Sequence, residues 1–198
     1  TAMALGAALL LSKEKLLGRV RFLFQPCEET VDEEGKSGAQ RMSDEGAMQG
    51  VDFVIAQHVD PSKPVGTISI SAGPSSGGVD SWHAIIRGKG GHGAHPDKTI
   101  DPFYLTAHVI IALNAIISRR INPFEPAVVS IGSINGGFAE NVIPEKVKIT
   151  GTLRFTDEAV HQQIYAEIKR AFDIVKALGG DYELRYDVGG PPMINDEF

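Results

Sequence analysis

Glu28 and Glu29 are adjacent carboxylates that follow Pro26 and Cys27. In a non-helical turn, such a pair can aim one carboxylate at a metal ion and the other at water activated by that ion. His58 can bring an imidazole ligand to the same centre. Each also has an ordinary reading, as solvated loop acids and as a polar residue ending a strand. His92 sits in Gly88-Lys-Gly-Gly-His-Gly93, where flexible backbone suits the presentation of a side chain to a ligand. The run matches G-x-G-x-x-G, but a dinucleotide site needs a helix to start within its glycines and meet the pyrophosphate. Here His95-Pro96 intervenes and the next helix is expected only near Asp101. His92 and His95 could also be read as a metal pair, although the glycines would fix them poorly and no further Cys or His lies near. Asn141 belongs to a loop between two expected strands and Arg154 to the polar side of one of them. Both are open to a ligand, and both have duller roles as a turn residue and a solvated cation.

The elements that must position these groups follow from periodicity. Val20, Phe22 and Phe24 alternate with Arg21 and Leu23, and Pro26 ends that strand just before the glutamates. A helix over about 2–15 precedes it and another over about 38–48 follows, before a second apolar strand over 52–58. Strand, helix and strand at this spacing predict a parallel βαβ unit, which would put His58 on the same carboxyl rim as Glu28 and Glu29. A further strand is expected over 65–71. Ala72 to Gly78 then reads as a linker of small residues.

Beyond the linker the pattern changes. Strands are expected over 79–87, 127–134, 146–155 and 182–188. Between them stand a helix opened by Asp101-Pro102 and closed by Arg119-Arg120, and a second opened by Thr156-Asp-Glu and stopped by Gly179-Gly180. The order β-α-β-β-α-β is the ferredoxin-like arrangement. Val147, Ile149, Gly151, Leu153 and Phe155 alternate with polar residues, so one face of the sheet is covered by helices and the other is polar. His83, His108 and His161 fall inside these elements and are read as structural. The first of the two helices is apolar over a broad arc through Phe103, Leu105, Val109, Ile110, Leu113, Ile116 and Ile117, which with open sheet edges favours a dimer.

With 198 residues, 42% of them hydrophobic, the chain can build one or two domains. A net charge of -6, with no Lys/Arg-rich run, argues against a nucleic-acid or anionic-membrane surface and for a metal or small-molecule partner. No stretch approaches the roughly 20 apolar residues of a membrane span. The Ala-Leu run over 4–11 lacks the basic region of a signal peptide. Cys27 is the only cysteine, so no intrachain disulfide is possible and a reducing, cytoplasmic setting is expected. It reads as a small buried filler rather than as a thiolate ligand.

Phe24-Gln-Pro-Cys-Glu-Glu29, Gln57-His58-Val59, Gly88-Lys-Gly-Gly-His-Gly-Ala-His-Pro96, Asn141-Val-Ile-Pro144 and Gly151-Thr-Leu-Arg154 occur in an order and spacing that resembles the M20 metallopeptidase and amidohydrolase family. The likeness is to its aminoacylase, hippurate hydrolase, indole-acetyl-amino-acid hydrolase and N-acetyl-diaminopimelate deacetylase branch. That resemblance implies an α/β fold: parts of a metal-dependent catalytic domain (1–75 and 189–198) and an inserted α+β ferredoxin-like lid and dimerisation domain (76–188). It implies Glu28 as general base, Glu29 and His58 as ligands of divalent zinc, manganese or cobalt, two ions per complete site, and His92 as an oxyanion-stabilising group reaching the partner subunit's site. Asn141 and Arg154 would hold the substrate, an N-acyl amino acid or small peptide, in a homodimer formed through the lid. Cys27 replaces the family's usual Ala or Ser, and residues 30–37 read as an acidic insertion. Further ligands fall outside the matched segments, so these 198 residues read as the middle of an enzyme, inactive alone. The alternative is a ferredoxin-like binding or regulatory module without catalysis.

Overall fold

The structure is a computed structural model that describes residues 1–197; Phe198, the end of the expected 189–198 segment, lies outside them. The chain divides into two compact units, Thr1–Thr67 and Ile68–Phe198.

In the second unit, β2 (Gly78–Arg87), α3 (Pro102–Arg119), β4 (Ala127–Gly136), β6 (Lys146–Phe155), α4 (Glu158–Ala177) and β7 (Asp181–Gly190) form the ferredoxin-like domain, with an antiparallel sheet in the order β4-β6-β2-β7. Asp101 caps α3 by accepting the Phe103 N–H at 2.8 Å, with Pro102 at the first turn, and Asp157 caps α4 by accepting from Ala159 and Val160. The inward residues of β2 and β6 (Trp82, Ala84, Ile86, Val147, Ile149, Leu153) are buried. Leu105, Val109, Leu113 and Ile116 of α3 and Ile164, Ile168, Phe172 and Val175 of α4 pack on them in one core. Each such side chain stabilises the fold by about 1.5–3 kcal/mol. Gly151 makes room for the Trp82 indole, because a Cβ there would stand 2.2 Å from Cζ2 of that ring.

Two short pairings complete this unit. β1 (Gly73–Ser76) runs antiparallel to β8 (Met193–Asn195), so the expected linker contains a strand. β3 (Gly91–His92) pairs with β5 (Val142–Ile143), and a 3-10 turn spans Pro96–Lys98. α3 is long and apolar enough to cross a membrane by length and composition, yet the Leu105 to Ile116 face is taken up by the core. That corrects the dimer argument: of the arc from Phe103 to Ile117 only Phe103 stays exposed, and the outward face carries Tyr104 and Ile111 instead.

The first unit departs further from expectation. It holds α1 (Ala2–Leu11) and α2 (Gly38–Asp44), and the segments 19–24 and 52–58, like 65–71 across the division at Thr67, are not strands, so no βαβ unit is formed among the described residues. The physical reason lies in pairing. A buried parallel strand needs hydrogen-bonded neighbours, and no described residue pairs with these segments. Their apolar side chains are correspondingly exposed, Phe53 by 77% and Ile55 by 91%.

Candidate functional site

Glu28 and Glu29 lie in an irregular turn, both exposed. Its base is a close approach of backbone to backbone: the Gly38 N–H donates to the Cys27 carbonyl at 3.5 Å, and a Cβ at Gly38 would stand 1.6 Å from the Pro26 carbonyl oxygen. Only glycine permits that contact. Cys27 takes φ 45°, a left-handed conformation that costs an L-residue about 1–2 kcal/mol. It is also exposed rather than a buried filler, because the sharp turn at the foot of α2 directs it outward.

His58 is exposed, and its Nδ1 lies 2.7 Å from the Val59 carbonyl oxygen. A carbonyl only accepts, so Nδ1 donates, and in the neutral ring the Nε2 lone pair is then free to take a metal. By donor type, Glu29 and His58 fit a divalent ion of intermediate softness. By arrangement they fall short of a complete centre: no group of three or more His, Cys, Asp or Glu is placed to hold a metal among the described residues. The expected shared rim of Glu28, Glu29 and His58 depended on the βαβ unit, which is not formed.

On the lid, two of the sequence-selected residues do come together. The β3–β5 ladder sets His92 opposite Val142, and the Gly93 N–H donates to the Asn141 carbonyl at 2.8 Å, so His92 and Asn141 share one loop cluster. His92 Nδ1 accepts the Ala94 N–H at 3.1 Å. In the neutral ring this leaves Nε2–H pointing outward as a donor, the form that can stabilise a developing oxyanion. Beside the cluster is an open groove of about 660 Å³, walled in part by Gly91, Phe138, Val142 and Ile143. His95 lies 5.9 Å from His92 between ring centroids, and no third ligand joins them among the described residues.

Arg154 is elsewhere. It sits near the far end of β6, opposite Val79 and Val128, with Nη1 donating to the Leu153 carbonyl at 2.9 Å and the side chain exposed. At about 3.3 Å per residue, β6 carries it ~26 Å from Lys146, which lies at the β5 end.

A buried network had no place in the sequence reading. Asp80, only 1% exposed, accepts from His161 Nε2 at 2.6 Å, from the Tyr165 hydroxyl and from the Gly189 N–H at 2.9 Å. His161 stacks on Phe155 with centroids 3.8 Å apart, and its Nδ1 faces Glu158 at 3.3 Å. Burial pushes the Asp80 carboxyl up, but the bonds from Tyr165, Gly189 and His161 together hold it below its ordinary value. The Tyr165 hydroxyl is pushed up by burial and by Asp80. The signal was present: Asp80 is in phase with buried Trp82, Ala84 and Ile86, and His161 and Tyr165 are four apart on α4, so polar groups at apolar phases pointed to one another. His161 is structural, as expected.

Residues 75–177 match the model of the peptidase dimerisation domain of M20 enzymes. The chain is 38% identical over 203 residues to an N-acetyl-L-cysteine deacetylase of Bacillus subtilis, covering 100% of the chain and 47% of the relative. It is 40% identical over 198 residues to an N-acyl-L-amino acid amidohydrolase of Geobacillus stearothermophilus, covering 98% of the chain and 52% of the relative. A crystal structure described as a dinuclear metal-binding peptidase of the M20 family, from Bacillus subtilis, superposes with a TM-score of 0.76 at 30% identity, covering 99% of this chain and 49% of that one. The chain thus spans about half the length of the curated relatives it matches.

Proposed function

This chain belongs to the M20 family of peptidases and amidohydrolases, and from that premise we propose that the protein hydrolyses the amide bond of N-acyl amino acids or small peptides with the help of divalent metal. The observation that carries the reading is a likeness running the whole length of the chain to enzymes named for removing acyl groups from amino acids.

Glu29 and His58 would hold the metal, His58 through Nε2. When bound, the ion supplies a polarised water and a Lewis-acid contact to the scissile carbonyl. Glu28 takes the proton from the attacking water and returns it to the leaving amine nitrogen. His92 Nε2–H donates to the carbonyl oxygen as negative charge builds there, while Asn141 and Arg154 answer the substrate's polar groups. Two ligands are fewer than the three a catalytic zinc ordinarily takes from protein, so the reading requires more from beyond residues 1–198. The ~26 Å along β6 between the Asn141 end and Arg154 favours a homodimer in which one subunit's lid serves the other's catalytic groups. The ion's identity, zinc, manganese or cobalt, and a pair of ions per site belong to the same proposal, as does a cytoplasmic location.

One experiment addresses both chemistry and assembly. In the full-length protein with metal present, Glu28→Gln and His92→Ala should each lower kcat for an N-acyl amino acid by about 10²-fold or more. Mixing the two inactive variants should restore activity, because one site of a mixed dimer then has both Glu28 and His92. Undiminished hydrolysis by Glu28→Gln would remove the base, and no recovery on mixing would remove the shared site.

A further inference from the structure

Residues 30–37 are the acidic stretch between the Glu28-Glu29 turn and α2, and the proposed chemistry gives them no task. Their geometry is organised by one side chain. Asp32 Oδ1 accepts the N–H groups of Glu34 at 2.9 Å and Lys36 at 3.0 Å, its own N–H donates to the Lys36 carbonyl at 2.9 Å, and Gly35 turns the chain at φ 77°. Asp32 Oδ2 accepts Arg41 Nε at 2.6 Å, and the other arm of that guanidinium reaches Glu34 at 2.8 Å. The hydrogen bond from Arg41, then that from Lys36, hold the Asp32 carboxyl down at about 2. It is therefore a charged acceptor at any working pH.

α2 consequently grips the chain twice on one side. Gly38 holds Pro26 and Cys27, and Arg41, three residues on and on the same helix face, holds Asp32. The two grips bracket the segment that carries Glu28 and Glu29. A half-exposed ion pair adds little to global stability, so fold stability does not explain a carboxylate used by this many donors; local fixing does. The planar fork of arginine reaches two carboxylates at once, which a lysine ammonium does not reproduce.

We propose that Asp32 and Arg41 are positioning residues that clamp the Glu28–Glu29 turn to α2 and set the direction of its two carboxylates. The inference rests on the reading of Glu29 as a metal ligand and Glu28 as base, and its test separates the two.

The full-length protein is stripped of metal and zinc affinity is measured by competition with a chelator, alongside amide exchange at Glu34 and Lys36 in the metal-free state and the thermal midpoint. Arg41→Gln and Asp32→Ala should speed exchange at those amides. They should weaken zinc binding and lower kcat by about 10- to 100-fold, the usual range for groups that orient ligands, with KM and the thermal midpoint little changed. Arg41→Lys, a milder change that keeps the charge and loses the fork, should fall between. Glu29→Gln decides the underlying reading: unchanged zinc affinity there overturns the site itself. Weakened binding in Glu29→Gln with unchanged binding in Arg41→Gln and Asp32→Ala overturns the clamp alone. A loss in Arg41→Gln matched by an equal loss of global stability, and fully mended by Arg41→Lys, also overturns it, because charge rather than the fork would then be what matters.

Discussion

Residues 146–155 and residues 19–24 carry much the same message, apolar side chains at every second position, and they end differently. In β6, Val147, Ile149 and Leu153 are fully buried, because β2 and β4 hydrogen-bond to the strand on either side and two helices cover one face. In the first unit, Val20 is 52% and Phe24 46% exposed, and the backbone is held instead by side chains such as Arg21, which donates to the Ala47 and Gln49 carbonyls. Alternation tells which side of a strand is apolar; it does not supply the neighbour that makes the segment a strand. The ferredoxin-like unit contains all its partners within one run of sequence, so its pattern and its structure agree. The first unit does not, and nearly all its residues remain at least partly exposed, Gly38 being the buried exception.

The sharpest way to separate the two units is to remove Asp80. Asp80→Ala strips the acceptor from His161, the Tyr165 hydroxyl and the Gly189 N–H in a buried site, at a cost of about 3–5 kcal/mol. Trp82 is the only tryptophan and lies in the lid core. Its fluorescence during denaturant unfolding therefore reads this unit alone, and the midpoint should fall steeply. Acid should mimic the mutation. The folded Asp80 carboxyl is held below its ordinary 3.8, so its stabilisation is present above that value and is lost as pH falls through the depressed folded value. A midpoint unmoved in Asp80→Ala would mean the network contributes nothing, and the contrast between units would rest on apolar packing only.

Much of this contrast was readable beforehand. The capping aspartates Asp101 and Asp157, the helix stops and the alternating faces fixed the lid's order of elements, since each is a local signal whose partners are close in sequence. His92 and Asn141 were singled out separately, and their neighbourhood through β3 and β5 was not legible, because a two-residue ladder between distant segments leaves no period. Asp80, Asp32 and Arg41 escaped for a related reason: their roles are hydrogen bonds across the fold, and a charged residue in an otherwise regular pattern looks like surface until its partner is known. Glu28, Glu29 and His58 were chosen by residue type and by resemblance, and the rim meant to unite them depended on strands this chain does not pair.

A smaller effect sharpens the packing side of the comparison. Gly151→Ala would put a methyl group 2.0 Å from the Ser130 carbonyl oxygen and 2.2 Å from the Trp82 ring. Neither can retreat without disturbing the sheet or the core, so the cost should be about 1–3 kcal/mol, as for overpacking elsewhere. The same fluorescence midpoint measures it, with a change in Trp82 emission even before unfolding. A variant as stable as the parent would show that β4, β6 and the indole are less closely fitted than the geometry implies.

The smallest effect should have the opposite sign and appear only in the first unit. Gly6 is in the middle of α1, a helix with no buried residue, and a Cβ added there would meet nothing within 4 Å. Gly6→Ala therefore changes no contact; it removes the conformational entropy that glycine loses in a helix, a gain of about 0.5–1 kcal/mol. Because that gain is local, amide exchange over Ala2–Leu11 should slow by about two- to fivefold, while the Trp82 midpoint stays where it was. If both moved together, the two units would share one cooperative transition, and the contrast drawn from their burial would not extend to how they unfold. If neither moved, α1 would owe its form to something other than helix propensity, which its exposed surface gives no reason to expect.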